Sequence, residues 1–169
     1  MWVEYIPSIN PPGDPMAQAQ DDFIEVMGRH FEEEGIPRIA GRLFGLLMLG
    51  EEPCSLEELA ERLHVSKGSV SSNARLLEDW GVAMRVTRAG DRRDFYRIAP
   101  DMSSRLIQRQ IERIRLFIDR VDRARGKMSP LSAPVAERFD RTAEFNRAVM
   151  RSLLGLREEL GGETDGRDE

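Results

Sequence analysis

Apolar residues recur at helical spacing through most of this chain, and the breaks between the repeats divide it into blocks. Phe23, Ile24, Met27 and Phe31 form one stripe at three- and four-residue intervals, with Asp21, Asp22, Glu25 and Glu32 on the other side, so a helix is expected after Pro15. Gly35 and Pro37 interrupt it. Ile39, Leu43, Leu46, Leu47 and Leu49 predict a second helix that opens at Pro37 and ends near Gly50. Ser55-Leu56-Glu57-Glu58 has the spacing of a capping box, in which a serine oxygen and a glutamate three residues on satisfy each other's backbone amides. It begins a short helix through Leu59 and Leu63. Ser66 caps the next, from Lys67 to about Trp80, with Val70, Ala74 and Leu77 on one face and Gly81 at its end.

The period then changes. Val82 to Thr87 and Asp94 to Ile98 are rich in β-branched and aromatic residues and flank Ala89-Gly90-Asp91-Arg92, which predicts a hairpin. Beyond Pro100, Ile107, Ile111, Ile114, Ile118 and Val121 alternate four- and three-residue steps along a long helix over 101–125, a seam suited to packing against another helix. Gly126 to Pro134 separates it from a last helix expected over 135–160. The prolines of residues 1–15 predict a flexible N-terminal arm, and the polar, glycine-bearing residues 161–169 a disordered tail.

Three helices followed by a hairpin, with a three- to four-residue turn between the second and third, is the order of a winged helix-turn-helix. The fold expected is therefore mainly α: a winged helix-turn-helix domain over 16–100, including the leading helix, and a helical dimerisation region over 101–160. The terminal helices carry more apolar surface than one small winged domain can cover, so they are expected to form the body of a homodimer.

The total charge argues against nucleic acid, because 30 acids against 25 bases leave the chain at -5. The distribution reverses that inference. Residues 1–60 hold twelve acids and three bases, residues 61–98 five acids and eight bases, and residues 99–169 thirteen acids and fourteen bases. The basic portion coincides with the predicted third helix and hairpin, where local charge would meet phosphate. On that helix, opposite the apolar face, lie Lys67, Gly68, Ser71, Ser72 and Arg75, small or basic residues that suit a major groove. Ser66 caps the helix and offers its amide end to a phosphate. Arg88, Arg92 and Arg93 surround Gly90 at the predicted wing tip; strand alternation sets Arg92 and Arg93 on opposite sides, so one of them is expected to be solvated or paired with Asp91 or Asp94.

Other chemistry is sparse. Cys54 is the single cysteine, which excludes an internal disulfide and a multi-cysteine metal site. His30 and His64 are unclustered, so no metal is expected, and no cofactor motif or nucleophile–base pattern points to an enzyme. The longest apolar stretch, Leu43 to Leu49, is far short of a membrane span, and the N-terminus lacks a signal-peptide pattern, so a cytoplasmic protein is expected.

Pro37-Arg38-Ile39-Ala40-Gly41-Arg42-Leu43, Pro53-Cys54-Ser55-Leu56-Glu57-Glu58-Leu59, Ser66-Lys67-Gly68-Ser69-Val70-Ser71, Leu76-Leu77-Glu78-Asp79-Trp80-Gly81-Val82 and Gly90-Asp91-Arg92-Arg93-Asp94-Phe95-Tyr96 together resemble the GbsR-type branch of the MarR superfamily of bacterial transcriptional regulators. The resemblance covers roughly residues 20 to 125. It implies a homodimer whose paired winged domains read a pseudo-palindromic operator in double-stranded DNA, with repression as the expected outcome. For the branch's founding members it also implies a response to choline or glycine betaine, but no local motif for that ligand appears here, so a small-molecule effector is left without assigned residues. The competing expectation is a winged-helix protein-interaction module whose basic segment never meets DNA.

Overall fold

The computed structural model describes residues 14–164, with side chains to residue 160; of the arm expected over residues 1–15, residues 1–13 lie outside the described residues, as do the last five residues of the expected tail. The described residues form helices α1 (Pro15–Glu33), α2 (Arg38–Leu49), α3 (Leu56–Leu63), α4 (Lys67–Asp79), α5 (Met102–Lys127) and α6 (Ala133–Thr164), with strands β1 (Cys54–Ser55), β2 (Ala83–Val86) and β3 (Phe95–Ile98).

Local chemistry explains where most of these elements stop and start. Asp14 caps α1 by accepting from the Met16 amide, and Pro15 occupies the first turn, where its missing N–H has no partner to lose. Pro37, expected inside α2, stands one position earlier as its N-cap. At Ser55 the capping box is complete: its hydroxyl accepts from the Glu58 amide at 3.3 Å and its amide donates to the Glu58 carboxylate at 2.7 Å. These backbone and hydroxyl donors hold the Glu58 carboxyl below its ordinary value. Gly81, at φ 74, ends α4 in the left-handed region, and the Gly81 and Val82 amides return to Glu78 and Leu77.

The chain divides by internal contact into two units, the first ending at Met102. In the first, α1 and α2 pack closely, and three glycines line their crossing. A Cβ on Gly41 would stand 2.2 Å from the Met27 carbonyl oxygen, and one on Gly45 would stand 3.1 Å from the Ile24 Cα. Gly28, on α1, faces Arg42 in the same way. Part of the acidic side of α1 is engaged by α2. Asp21 is buried, and Glu25 takes Arg42 at 2.7 Å and Arg38 at 2.8 Å, because so close a crossing draws both arginines of α2 over α1. The core beneath joins Ile24, Leu43, Leu46, Leu59, Leu63, Val70, Leu77 and Tyr96, so α2, α3, α4 and the sheet share one apolar centre.

The sheet is antiparallel in the order β1-β3-β2. Its third strand escapes the sequence reading: β1 is two residues long and pairs Cys54 with Tyr96 and Ser55 with Phe95. On the other side, β2 and β3 run from Ala83 opposite Ile98 to Val86 opposite Phe95, which makes them the two sides of the predicted hairpin.

In the second unit, α5 and α6 form an antiparallel pair held by ion pairs from Arg125 to Asp140 and from Arg147 to Asp122, and by a hydrogen bond from Arg157 to the Gln108 amide oxygen at 2.6 Å. Ile107, Ile111 and Ile114 of the predicted seam are buried. Leu116, Phe117, Phe145 and Leu156 remain exposed, Phe145 by 68%. Two boundaries differ from expectation. Pro134 lies within the first turn of α6 rather than before it, where a proline forfeits no hydrogen bond. The same helix continues to Thr164, four residues into the expected tail, since two adjacent glycines weaken an established helix by about 1 kcal/mol each without forbidding it. No helix among the described residues is long and apolar enough to cross a membrane.

Candidate nucleic-acid interface

A groove-reading helix needs one face anchored and the other bare, and α4 has both. Val70, Ala74 and Leu77 are fully buried, and Asn73, almost fully covered, ties its amide to the Ser69 carbonyl at 2.8 Å. The other side presents Lys67, Gly68, Ser72 and Arg75 exposed, with Ser71 half-buried beside them. Ser66 caps the helix by accepting from the Ser69 amide at 3.2 Å. Nothing stands within 4 Å of the place where a Gly68 Cβ would be, so this part of the helix is open to an approaching surface. A three-residue turn, His64 to Ser66, sets α3 against α4, with His64 itself in the left-handed region at φ 54.

The cations on this surface differ in how far they are already engaged. Lys67 forms an ion pair with Glu57 of α3, and that hydrogen bond holds the Glu57 carboxyl below its usual range. Arg75 donates to the Ser71 hydroxyl at 2.9 Å, one turn earlier on the helix. Between α4 and the wing strands lies a cleft of about 540 Å³, where Arg75 and Arg85 face Glu78, Asp79, Asp94 and Tyr96. Arg85 of β2, which was not among the sequence-derived site residues, lies 3.8 Å from Glu78 and 3.5 Å from Asp94.

The wing turns at Gly90, whose φ of 82 suits a residue without a Cβ. Arg93 is fastened to Asp91 through side chain and backbone, at distances down to 2.7 Å, and these bonds lower the Asp91 carboxyl to about 2. That is the pairing expected of one of the two adjacent arginines. Arg92 is the other: it is exposed and makes no hydrogen bond or ion pair among the described residues. Arg88 opens the turn, its carbonyl accepting from the Asp91 amide at 3.1 Å, while its guanidinium lies 4.4 Å from the Phe95 ring centre and its Nη2 donates to the Pro53 carbonyl at 2.9 Å. The fold thus brings the nine sequence-derived residues, Ser66, Lys67, Gly68, Ser71, Ser72, Arg75, Arg88, Arg92 and Arg93, onto two adjacent elements, a capped helix and a basic hairpin.

Helices α2, α3 and α4 with the β2–β3 hairpin constitute a winged helix-turn-helix, the class of protein that presents one helix to a DNA groove and a hairpin to the flanking backbone. Comparison with known proteins agrees. The MarR family profile matches residues 34–94. The transcriptional regulator MmpR5 of Mycobacterium tuberculosis is 36% identical over 163 residues, covering 95% of this chain and 94% of its own. The transcriptional repressor GbsR of Bacillus subtilis is 31% identical over 84 residues, covering 50% of this chain and 46% of its own. A crystal structure of a transcriptional regulator superposes with a TM-score of 0.79 at 28% identity, covering 85% of this chain and 99% of the other. The chain belongs to the MarR family and is a DNA-binding transcriptional regulator.

Proposed function

We propose that the protein is a homodimeric repressor that binds a pseudo-palindromic operator, with α4 in the major groove and the wing against the adjacent backbone. The observation that carries this reading is the bare outer face of α4, where an open Gly68 lies between a cap and exposed polar or basic residues. Lys67, Ser71, Ser72 and Arg75 would read or position the groove, the Ser66 end of the helix would meet a phosphate, and the basic wing would follow the neighbouring phosphate row. The exposed Leu116, Phe117, Phe145 and Leu156 support assembly with a second copy, since a single chain leaves them in water. In such a dimer the two α4 helices would stand about 34 Å apart, one turn of DNA. The same reading includes release by a small-molecule effector, which thermal-shift screening would register as a raised melting point.

Selection of bound sequences from random duplex DNA with the purified full chain tests the proposal. An enriched two-fold motif whose affinity falls steeply with salt is expected, together with a marked loss of affinity in the Arg75→Ala, Arg92→Ala, Arg93→Ala triple variant. No enriched motif, or unchanged binding by the triple variant, would favour the protein-interaction module instead.

A further inference from the structure

We propose that Arg88 is a positioning residue that clamps the wing to the segment entering α3, and that it acts on DNA through the wing's conformation rather than by touching phosphate. This deepens the DNA-binding reading and rests on it. Strands β2 and β3 have four residues each, and a hairpin so short has little stability of its own. Arg88 supplies what the ladder lacks. Its guanidinium covers Phe95, which is fully buried, while its Nη2 donates to the Pro53 carbonyl and lies 3.5 Å from the Glu52 carboxylate. Pro53 immediately precedes β1, and β1 pairs with β3 at Phe95 and Tyr96. The 52–55 segment and the wing are therefore joined twice, once by the strand ladder and once by this side chain.

The geometry separates Arg88 from Arg92. Both carry a permanent charge, but the Arg88 fork already has a carbonyl, a carboxylate and an aromatic face, whereas Arg92 has none of these. The clamp also needs the guanidinium itself. A lysine retains the charge but cannot lie flat on Phe95 while bridging to the Pro53 carbonyl, so the substitution that preserves a phosphate contact is the one that breaks a clamp. Once unclamped, the wing would occupy its binding pose for only part of the time, and apparent affinity would fall by that fraction. The number of phosphates neutralised in the bound state would not change.

The test compares the full-length parent with Arg88→Lys, Arg88→Ala and Arg92→Ala. Two readouts are used: salt-dependent binding to the selected duplex, and the rate at which a thiol reagent labels Cys54 in the free protein. Cys54 is the chain's single cysteine, adjoins Pro53 and is half-buried, so its labelling reports release of the 52–55 segment without DNA. The expected results are a roughly tenfold loss of affinity in both Arg88 variants with the salt slope unchanged, a slope reduced by about one per wing in Arg92→Ala, and faster Cys54 labelling in both Arg88 variants. Parental affinity in Arg88→Lys with a reduced slope in Arg88→Ala would make Arg88 a phosphate contact and overturn the proposal. Parental labelling rates in both Arg88 variants would overturn it as well. If the parent bound no duplex, the regulator reading would fail, and the labelling rates alone would decide the clamp.

Discussion

Replacing Gly41 with alanine asks how tightly the first two helices are packed. The added Cβ would sit 2.2 Å from the Met27 carbonyl oxygen, 2.8 Å from the Phe31 Cβ and 2.9 Å from the Gly28 Cα, all short of the 3.0 Å that real Cβ atoms respect. Two of the three obstacles are backbone, so no rotamer change relieves them and the helices must part. Overpacking a filled contact costs about 1–3 kcal/mol, and a backbone obstacle belongs at the upper end. Alanine's better helix propensity returns about 1 kcal/mol, leaving a net loss of about 2 kcal/mol. For a chain of this size that lowers the melting temperature by about 4–8 °C, measured by circular dichroism at one fixed protomer concentration. Gly45→Ala, with its nearest atom at 3.1 Å, should lie between this variant and the parent. Gly68→Ala should melt slightly above the parent, because its Cβ meets nothing within 4 Å, and yet bind operator more weakly if that space is where the groove wall comes. A Gly41→Ala protein as stable as the parent, or one more stable than Gly68→Ala, would refute this account of the crossing.

Ser55→Ala removes the hydroxyl that accepts from the Glu58 amide in a fully buried position, so it should cost about 1–2 kcal/mol in chemical denaturation. Glu57→Gln releases Lys67 from its internal partner; binding isotherms should show operator affinity rising by roughly two- to fivefold at low salt, with the gain shrinking as salt is added. Because the native Asp91 carboxyl lies below its ordinary 3.8, its bond to Arg93 should be fully present above that pH and be lost as acid titrates it through about 2. An Asp91 side-chain midpoint at or above 3.8 by NMR would contradict the pairing seen in the wing.

The recognition helix was legible in the sequence because two independent signals coincide there. Ser66 and Gly81 bound it, and Val70, Ala74 and Leu77 orient it, so its outer residues follow from geometry alone. The hairpin was legible for a similar reason, with β-rich runs on either side of Gly90. Strand β1 was not, since two residues carry no period and its pairing with β3 is made across some forty positions of sequence. The acidic side of α1 was legible but its partners on α2 were not, because the period of a helix shows which residues share a face, not what stands opposite. Only the glycine crossing brings Arg38 and Arg42 within reach of Glu25. Strand alternation made it legible that one of Arg92 and Arg93 is paired, but which one, and the seating of Arg88 against Pro53 and Phe95, depends on what the fold puts beside each.

The pairing of β1 with β3 has a practical consequence for anyone wishing to redirect the protein to a new operator. Residues 54 and 55 share a ladder with residues 95 and 96, and Ser55 also caps α3, so the hairpin is not a detachable part. A chimaera made by exchanging residues 83–98 alone would set a foreign strand against a native partner. The smallest block that keeps these backbone partners together runs from residue 52 to residue 99, because the Ala99 amide donates to the Val82 carbonyl at 2.9 Å, and recombination between relatives should succeed when its crossover points fall outside that block.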